Sequence, residues 1–168
     1  HLLSFYGTDT IPAIDYAETN YNGAKCTIIG GSVFATEHSV MCMGGEETEI
    51  ETFRRLIEDV YPSGIVSIVS DTWDFWQVVT NFTMILKDKI LAREGKVVIR
   101  PDSGDPVLII CGDPLAAPGT PEYKGAIECL WDIFGGTYSH KGFKTLDPHI
   151  GLIYGDSISP INLGEILK

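Results

Sequence analysis

The stretch Lys96-Val97-Val98-Ile99-Arg100-Pro101-Asp102-Ser103-Gly104-Asp105-Pro106 sets the fold class. Three β-branched residues in succession, with no turn former among them, read as a short strand buried on both faces, the kind found in parallel sheets. Pro101 has no N–H for a ladder and Asp-Ser-Gly-Asp-Pro is turn chemistry, so the strand stops and sets Arg100 and Asp102 together just past its carboxyl end. Parallel α/β folds hold their ligands on that rim.

Working outward, the same pattern recurs. Glu46 to Val60 is the clearest helix, with Ile50, Phe53, Leu56, Ile57 and Val60 on one stripe, and Tyr61-Pro62-Ser63-Gly64 turns the chain. The strand Ile65 to Ser70 then ends at Asp71. A helix follows from Thr72 to about Ala92, with Trp73, Trp76, Val79, Ile85 and Leu86 on or near one face as core. Asp74 lies three residues after Asp71, and the pair serves either the helix's positive first turn or a site. Beyond Pro106 come the apolar run Val107 to Cys111 and a Pro- and Gly-rich loop. A helix capped by Thr120 runs to Phe134, and the stretch from Thr137 to Leu146 reads as a surface hairpin. Ile150 to Tyr154 is the last strand, closed by Gly155-Asp156, and Ser159-Pro160 opens a helix to Lys168.

The amino-terminal part repeats the scheme. Leu2 to Phe5 is a strand closed by Gly7-Thr8-Asp9-Thr10, ahead of a helix from Ile11 to Asn20 with Pro12 in its first turn. Asp9 is either that helix's cap or a ligand-facing carboxylate. Cys26 to Ile29 is a short apolar run, and the turn after it carries Glu37-His38, where the histidine is either structural or catalytic.

Composition bounds the function. Twelve Lys and Arg against 23 Asp and Glu give a net charge of -11 with no basic run, which excludes a phosphate-backbone binder, so no nucleic-acid partner is expected. Cys26, Cys42, Cys111 and Cys129 form no C-x-x-C pair, so neither a zinc cage nor a disulfide framework is signalled and a cytoplasmic location fits. No run is long enough to span a bilayer, and no membrane partner is expected. With 44% hydrophobic residues, the 168 residues suffice for one core, read as a single α/β-barrel domain segment (1–168) of a longer chain.

The turns after four strands thus carry Asp9, Asp71, Asp102 and Asp156, with Glu37 and His38 in a fifth. In a parallel barrel those turns face one end, giving an acidic, hydroxyl-reading pocket with one Arg.

In order and separation, G-T-D-T (7–10), S-V-F-A-T-E-H-S (32–39), the S-D at 70–71, I-R-P-D-S-G-D-P (99–106) and Y-G-D-S (154–157) resemble the nicotinamide phosphoribosyltransferase family of type II phosphoribosyltransferases. The likeness covers essentially the whole chain, as a central portion of the family's length. It implies part of an irregular, TIM-like parallel α/β barrel from an enzyme that joins nicotinamide to phosphoribosyl pyrophosphate, working as a homodimer with shared active sites. Carried over by position, Asp9 would accept from the nicotinamide carboxamide, Arg100 and Ser67 would lie by the base, and Asp102 and Asp156 would hold the ribose hydroxyls with Gly155 giving close approach. His38 would be phosphorylated by ATP, with Glu37 and Asp71 orienting it and magnesium accompanying the substrate phosphates. No protein-held metal is implied. Phe34 and Ser157 stand where vertebrate members have Pro and Gly, which points to a bacterial or phage-type member. The family's base-stacking aromatics and Gly-rich phosphate-binding segment are not in this chain, so the segment alone is expected to be inactive.

Competing readings are the sister nicotinate enzyme, a metal-dependent barrel hydrolase, and an inactive structural fragment. Arg100 amid the carboxylates disfavours a bound cation.

Overall fold

The computed structural model describes residues 11–20, 33–154 and 157–167. It divides into two compact units, His1–Phe34 and Ala35–Lys168. The described part of the first is mainly the helix Ile11–Asn20, which the Pro12 signal predicts; Ala17 is buried, and Asn20 Nδ2 donates to the Tyr16 carbonyl at 2.9 Å. The expected strands at Leu2–Phe5 and Cys26–Ile29 lie outside the described residues.

Among the described residues, β1 (Phe34–Ala35), β2 (Ser63–Val69), β3 (Glu94–Arg100) and β6 (Ile150–Leu152) form one sheet in that order. A separate hairpin joins β4 (Gly136–Tyr138) to antiparallel β5 (Lys144–Leu146), as the sequence predicts. β2 runs parallel to β3 from Ser63↔Glu94 to Val69↔Arg100, and β3 runs parallel to β6 from Val97↔Ile150 to Ile99↔Leu152. Parallel neighbours need long crossovers, and the chain supplies helices for each. Within the described residues the sheet is open. It is a parallel α/β layer, consistent with part of the barrel that the resemblance implies and not a closed one.

Alternation along the strands places the core. Val66, Ile68, Val97, Ile99 and Ile150 are at most 1% exposed and pack with Phe53, Leu56 and Ile57 of the 46–60 helical stretch and with Val78, Val79 and Phe82 of the next. Phe53 and Phe82 meet edge to face, ring centres 5.9 Å apart. Arg93 locks these layers from below. It is buried, and its guanidinium donates to the carbonyls of Ile57, Tyr61 and Gly64, tying the end of one helix to the start of β2.

Several expectations need correction. The helix predicted from Thr72 starts only at Phe75, because Asp74 caps it by accepting from Gln77 N at 3.1 Å; it passes through a π turn (Val78–Phe82) and breaks at Leu86 before Lys87–Leu91. Trp73 therefore lies ahead of the helix, and both Trp73 and Ile85 are exposed, whereas Val79 and Leu86 are core. The helix predicted from Thr120 to Phe134 is two, Pro121–Lys124 and Ala126–Phe134. Gly125 separates them at φ +83°, where a Cβ would also sit 2.4 Å from Gly112 N. Val107–Cys111, an apolar run without a readable period, belongs to a helix beginning at Pro106 and capped by Asp105, which accepts from Val107 N at 2.9 Å. Ser159 and Asn162 cap each other reciprocally at the start of Pro160–Ile166, as Ser-Pro predicts.

Candidate active site

The site lies at the carboxyl ends of β2 and β3. Paired residues of parallel strands share a face, so Val69↔Arg100 puts Ser67, Arg100 and the residues that continue them, Asp71 and Asp102, on one side of the sheet. The strands stay together to their ends, where Ser70 N donates to Arg100 O at 2.9 Å. Asp71 then spans the gap. Its Oδ2 accepts from Asp102 N at 2.8 Å and from Ser103 Oγ at 2.6 Å. Arg100 donates from a terminal guanidinium nitrogen to Asp102 Oδ1 at 3.1 Å.

His38 is delivered from a third segment. Thr36 N donates to Ser67 O and Thr36 Oγ1 accepts from Val69 N, each at 2.9 Å, so the chain is pinned to β2 two residues before the histidine. A short helix, His38–Met41, follows and is anchored by the fully buried Met41. The imidazole Nε2 stands 3.9 Å from Asp71 Oδ1 and 3.8 Å from Asp102 Oδ2. These separations exceed a hydrogen bond and set both carboxylates along the Nε2 edge of the ring. Nδ1 meets Thr72 Oγ1 at 3.2 Å.

Three buried polar atoms of the cluster have no hydrogen-bond partner among the described residues: Ser67 Oγ, Asp71 Oδ1 and Arg100 Nε. Buried polar atoms are nearly always satisfied, so a hydroxyl, a carboxylate oxygen and a guanidinium N–H without partners make this cluster the candidate site. Glu49 is also buried, with Oε1 lacking a hydrogen-bond partner among the described residues; burial, then the nearby charges of Glu46 and Asp74, push its carboxyl up to about 7.

Of the sequence-predicted residues, the structure brings together His38, Asp71, Asp102 and Arg100, with Ser67 one strand step below. Glu37 is exposed and makes no hydrogen bond or ion pair to His38; the carboxylates near the ring are Asp71 and Asp102. Asp9, Gly155 and Asp156 lie outside the described residues. The reading of Asp71 and Asp74 as one pair is divided: Asp74 caps a helix and Asp71 serves the site. Thr72, Ser103 and Tyr154, whose hydroxyl donates to the Ser103 carbonyl, are additional members. The first two directly follow strand-end aspartates, a signal that ordinary turn formers share. Gly104, next to Ser103, is required at φ +89°, where a Cβ would meet Ile109 Cδ1 at 2.7 Å. Among the described residues no group of three or more His, Cys, Asp or Glu is placed to hold a metal ion, and no helix is long and apolar enough to cross a membrane.

A His–Asp–Asp–Arg cluster thus stands at the strand ends of a parallel α/β layer. The model of the nicotinate phosphoribosyltransferase (NAPRTase) family matches residues 1–168, and the chain belongs to that family. It is 63% identical to the nicotinamide phosphoribosyltransferase of Acinetobacter baylyi, covering all of this chain and 34% of that protein. Identity is 37% to the protein so named in Mycoplasma pneumoniae and 34% to that in Xanthomonas campestris pv. campestris, again over the whole chain and 39% and 33% of theirs. The chain thus spans about a third of the length of the curated relatives it matches.

Proposed function

We propose that the complete protein transfers the 5-phosphoribosyl group of phosphoribosyl pyrophosphate to nicotinamide, giving nicotinamide mononucleotide and pyrophosphate. The convergence of Asp71, Asp102, Arg100 and His38 on one rim, in a chain of this family, carries the reading. As the bond from the anomeric carbon to pyrophosphate breaks and the pyridine nitrogen bonds that carbon, the sugar becomes oxocarbenium-like; a carboxylate fixed by Arg100 stabilises that charge in place. Asp102 and Asp156 hold the ribose hydroxyls with Gly155 beside them, and Arg100 and Ser67 flank the base.

Asp9 favours the amide, because an ionised carboxylate accepts an N–H and repels nicotinate. Curated relatives named for nicotinamide support the same choice. ATP phosphorylates His38 to drive the reaction, Asp71 and Asp102 face its ring, and the working unit is a cytoplasmic homodimer. Magnesium enters with the phosphates of phosphoribosyl pyrophosphate and ATP and offsets their charge.

Offering full-length protein nicotinamide and nicotinate in competition with phosphoribosyl pyrophosphate, with and without ATP, tests each part. Nicotinamide mononucleotide as the main product is the expected result. Exclusive use of nicotinate would reverse the base assignment, and undiminished turnover by Asp102→Ala would remove the site.

A further inference from the structure

We propose that Tyr154 is a positioning residue for the sugar: its hydroxyl holds the turn that carries Asp102 and thereby sets that carboxylate against the ribose. The inference rests on the ribose role given to Asp102 above and names the group that fixes it. The turn that follows β3 is tied on two sides. Toward β2, Asp102 N and Ser103 Oγ both donate to Asp71 Oδ2, at 2.8 and 2.6 Å. Toward β6, the Ser103 carbonyl accepts from the Tyr154 hydroxyl. The sheet order β2-β3-β6 puts these supports on opposite flanks of β3.

Register brings Tyr154 to this point. Val97 pairs with Ile150 and Ile99 with Leu152, and Ile153 N donates to Ile99 O at 3.0 Å, so the two strands run together until Tyr154 emerges beside the turn. The turn is shaped to receive it. Gly104 has no side chain, and a Cβ there would come 3.8 Å from the Tyr154 Oη. The chain then returns to the same unit, because the helix Pro160–Ile166 packs against the helix Pro106–Cys111 that follows the turn. Gly155-Asp156, the second ribose-holding pair of the proposed reaction, is therefore flanked in sequence by residues tied to the turn or to its helix.

The tie acts on the sugar and not on the base. Arg100 belongs to β3 and is held by its pairing with Val69, whereas Asp102 lies beyond Pro101, which has no N–H for a ladder. Without the Tyr154 hydroxyl the turn keeps its support from Asp71 alone and can pivot toward β2. Asp102 Oδ1 retains its 3.1 Å contact with Arg100, so the carboxylate is misplaced and not lost. One hydrogen bond of this kind ordinarily shifts an equilibrium roughly two- to tenfold.

The test compares the complete parent protein with Tyr154→Phe, which removes one oxygen and keeps the ring, in steady-state kinetics with each substrate varied. KM for phosphoribosyl pyrophosphate should rise roughly two- to tenfold, with a smaller fall in kcat, an unchanged KM for nicotinamide and an unchanged thermal midpoint. Ser103→Ala releases the same turn from its other side, so the double variant should lose less in kcat/KM for the sugar substrate than the product of the two single losses. A parent-like KM for that substrate in folded Tyr154→Phe would overturn the tie while leaving the transfer reading intact. Equal rises in both KM values, or losses that multiply in full, would do the same. Absence of phosphoribosyl transfer by the parent would overturn both. If Tyr154→Phe does not fold, Ser103→Ala decides: a raised KM for the sugar substrate alone supports the tie, and a parent-like one overturns it.

Discussion

Replacing Glu49 by Gln should make the protein more stable at alkaline pH and leave it nearly unchanged in acid. Glu49 opens the helix Glu49–Arg55, is 3% exposed, has Oε1 without a hydrogen-bond partner among the described residues, and lies near Glu46 and Asp74. Its carboxyl is raised from 4.5 to about 7. Between those values the unfolded chain has released the proton while the folded one keeps it, so folding binds protons and stability falls as pH rises. The loss is about 1.4 kcal/mol per pH unit over the window, close to 3 kcal/mol once pH passes 7. Below about pH 4.5 both states hold the proton and no penalty exists. Glutamine has the same shape and no charge at any pH. Thermal melts of parent and Glu49→Gln at about pH 5, 6, 7 and 8 measure the difference, which should widen by several degrees across the series. A gap constant with pH, or one largest in acid, would refute this account of Glu49.

Truncating Arg93 to Ala leaves the buried Ile57 carbonyl and the part-buried carbonyls of Tyr61 and Gly64 without this donor and should cost about 2–4 kcal/mol in urea unfolding, with Arg93→Lys recovering part of it. Thr36→Val keeps the buried volume but leaves Val69 N–H unpaired; a loss of about 1–3 kcal/mol in urea unfolding is expected, because the anchor that pins the chain to β2 is gone. Asp71→Asn removes a carboxylate facing His38 and weakens the brace to Ser103, and should lower kcat by about a hundredfold with a smaller change in KM, read by steady-state kinetics of the complete protein.

The strands and the residues that end them are legible because two local rules agree there. A β-branched run such as Val97-Val98-Ile99 has a strong preference for a buried pleat, and Pro, Asp and Gly immediately after it can only terminate. The helix Pro106–Cys111 is less legible, since five consecutive apolar residues carry no period; Asp105-Pro106 is the signal that identifies it, as a cap followed by the one residue suited to a first turn. Two helices instead of one at 121–134 reflect tertiary packing: the backbone at Gly125 approaches Gly112 so closely that no side chain fits, a constraint set by a residue thirteen positions away. Glu49 is illegible for the same reason. Its spacing and charge mark it as an exposed first-turn acid, and only the assembled fold buries it.

The location of the site was readable where the detailed contacts were not, and register explains the difference. Counting to a strand's end requires only the strand, so the pairing of Val69 with Arg100 follows once two runs of similar length lie parallel. Which oxygen faces which ring nitrogen depends on the turn that follows. Asp71 could as easily have capped the next helix; Asp74 does so instead, which frees Asp71 to accept from Asp102 N and Ser103 Oγ and to present its other oxygen to His38. The division of labour between two aspartates three residues apart therefore determines whether the histidine edge near β2 is anionic. Exchanging their roles would take away the carboxylate that faces the His38 ring.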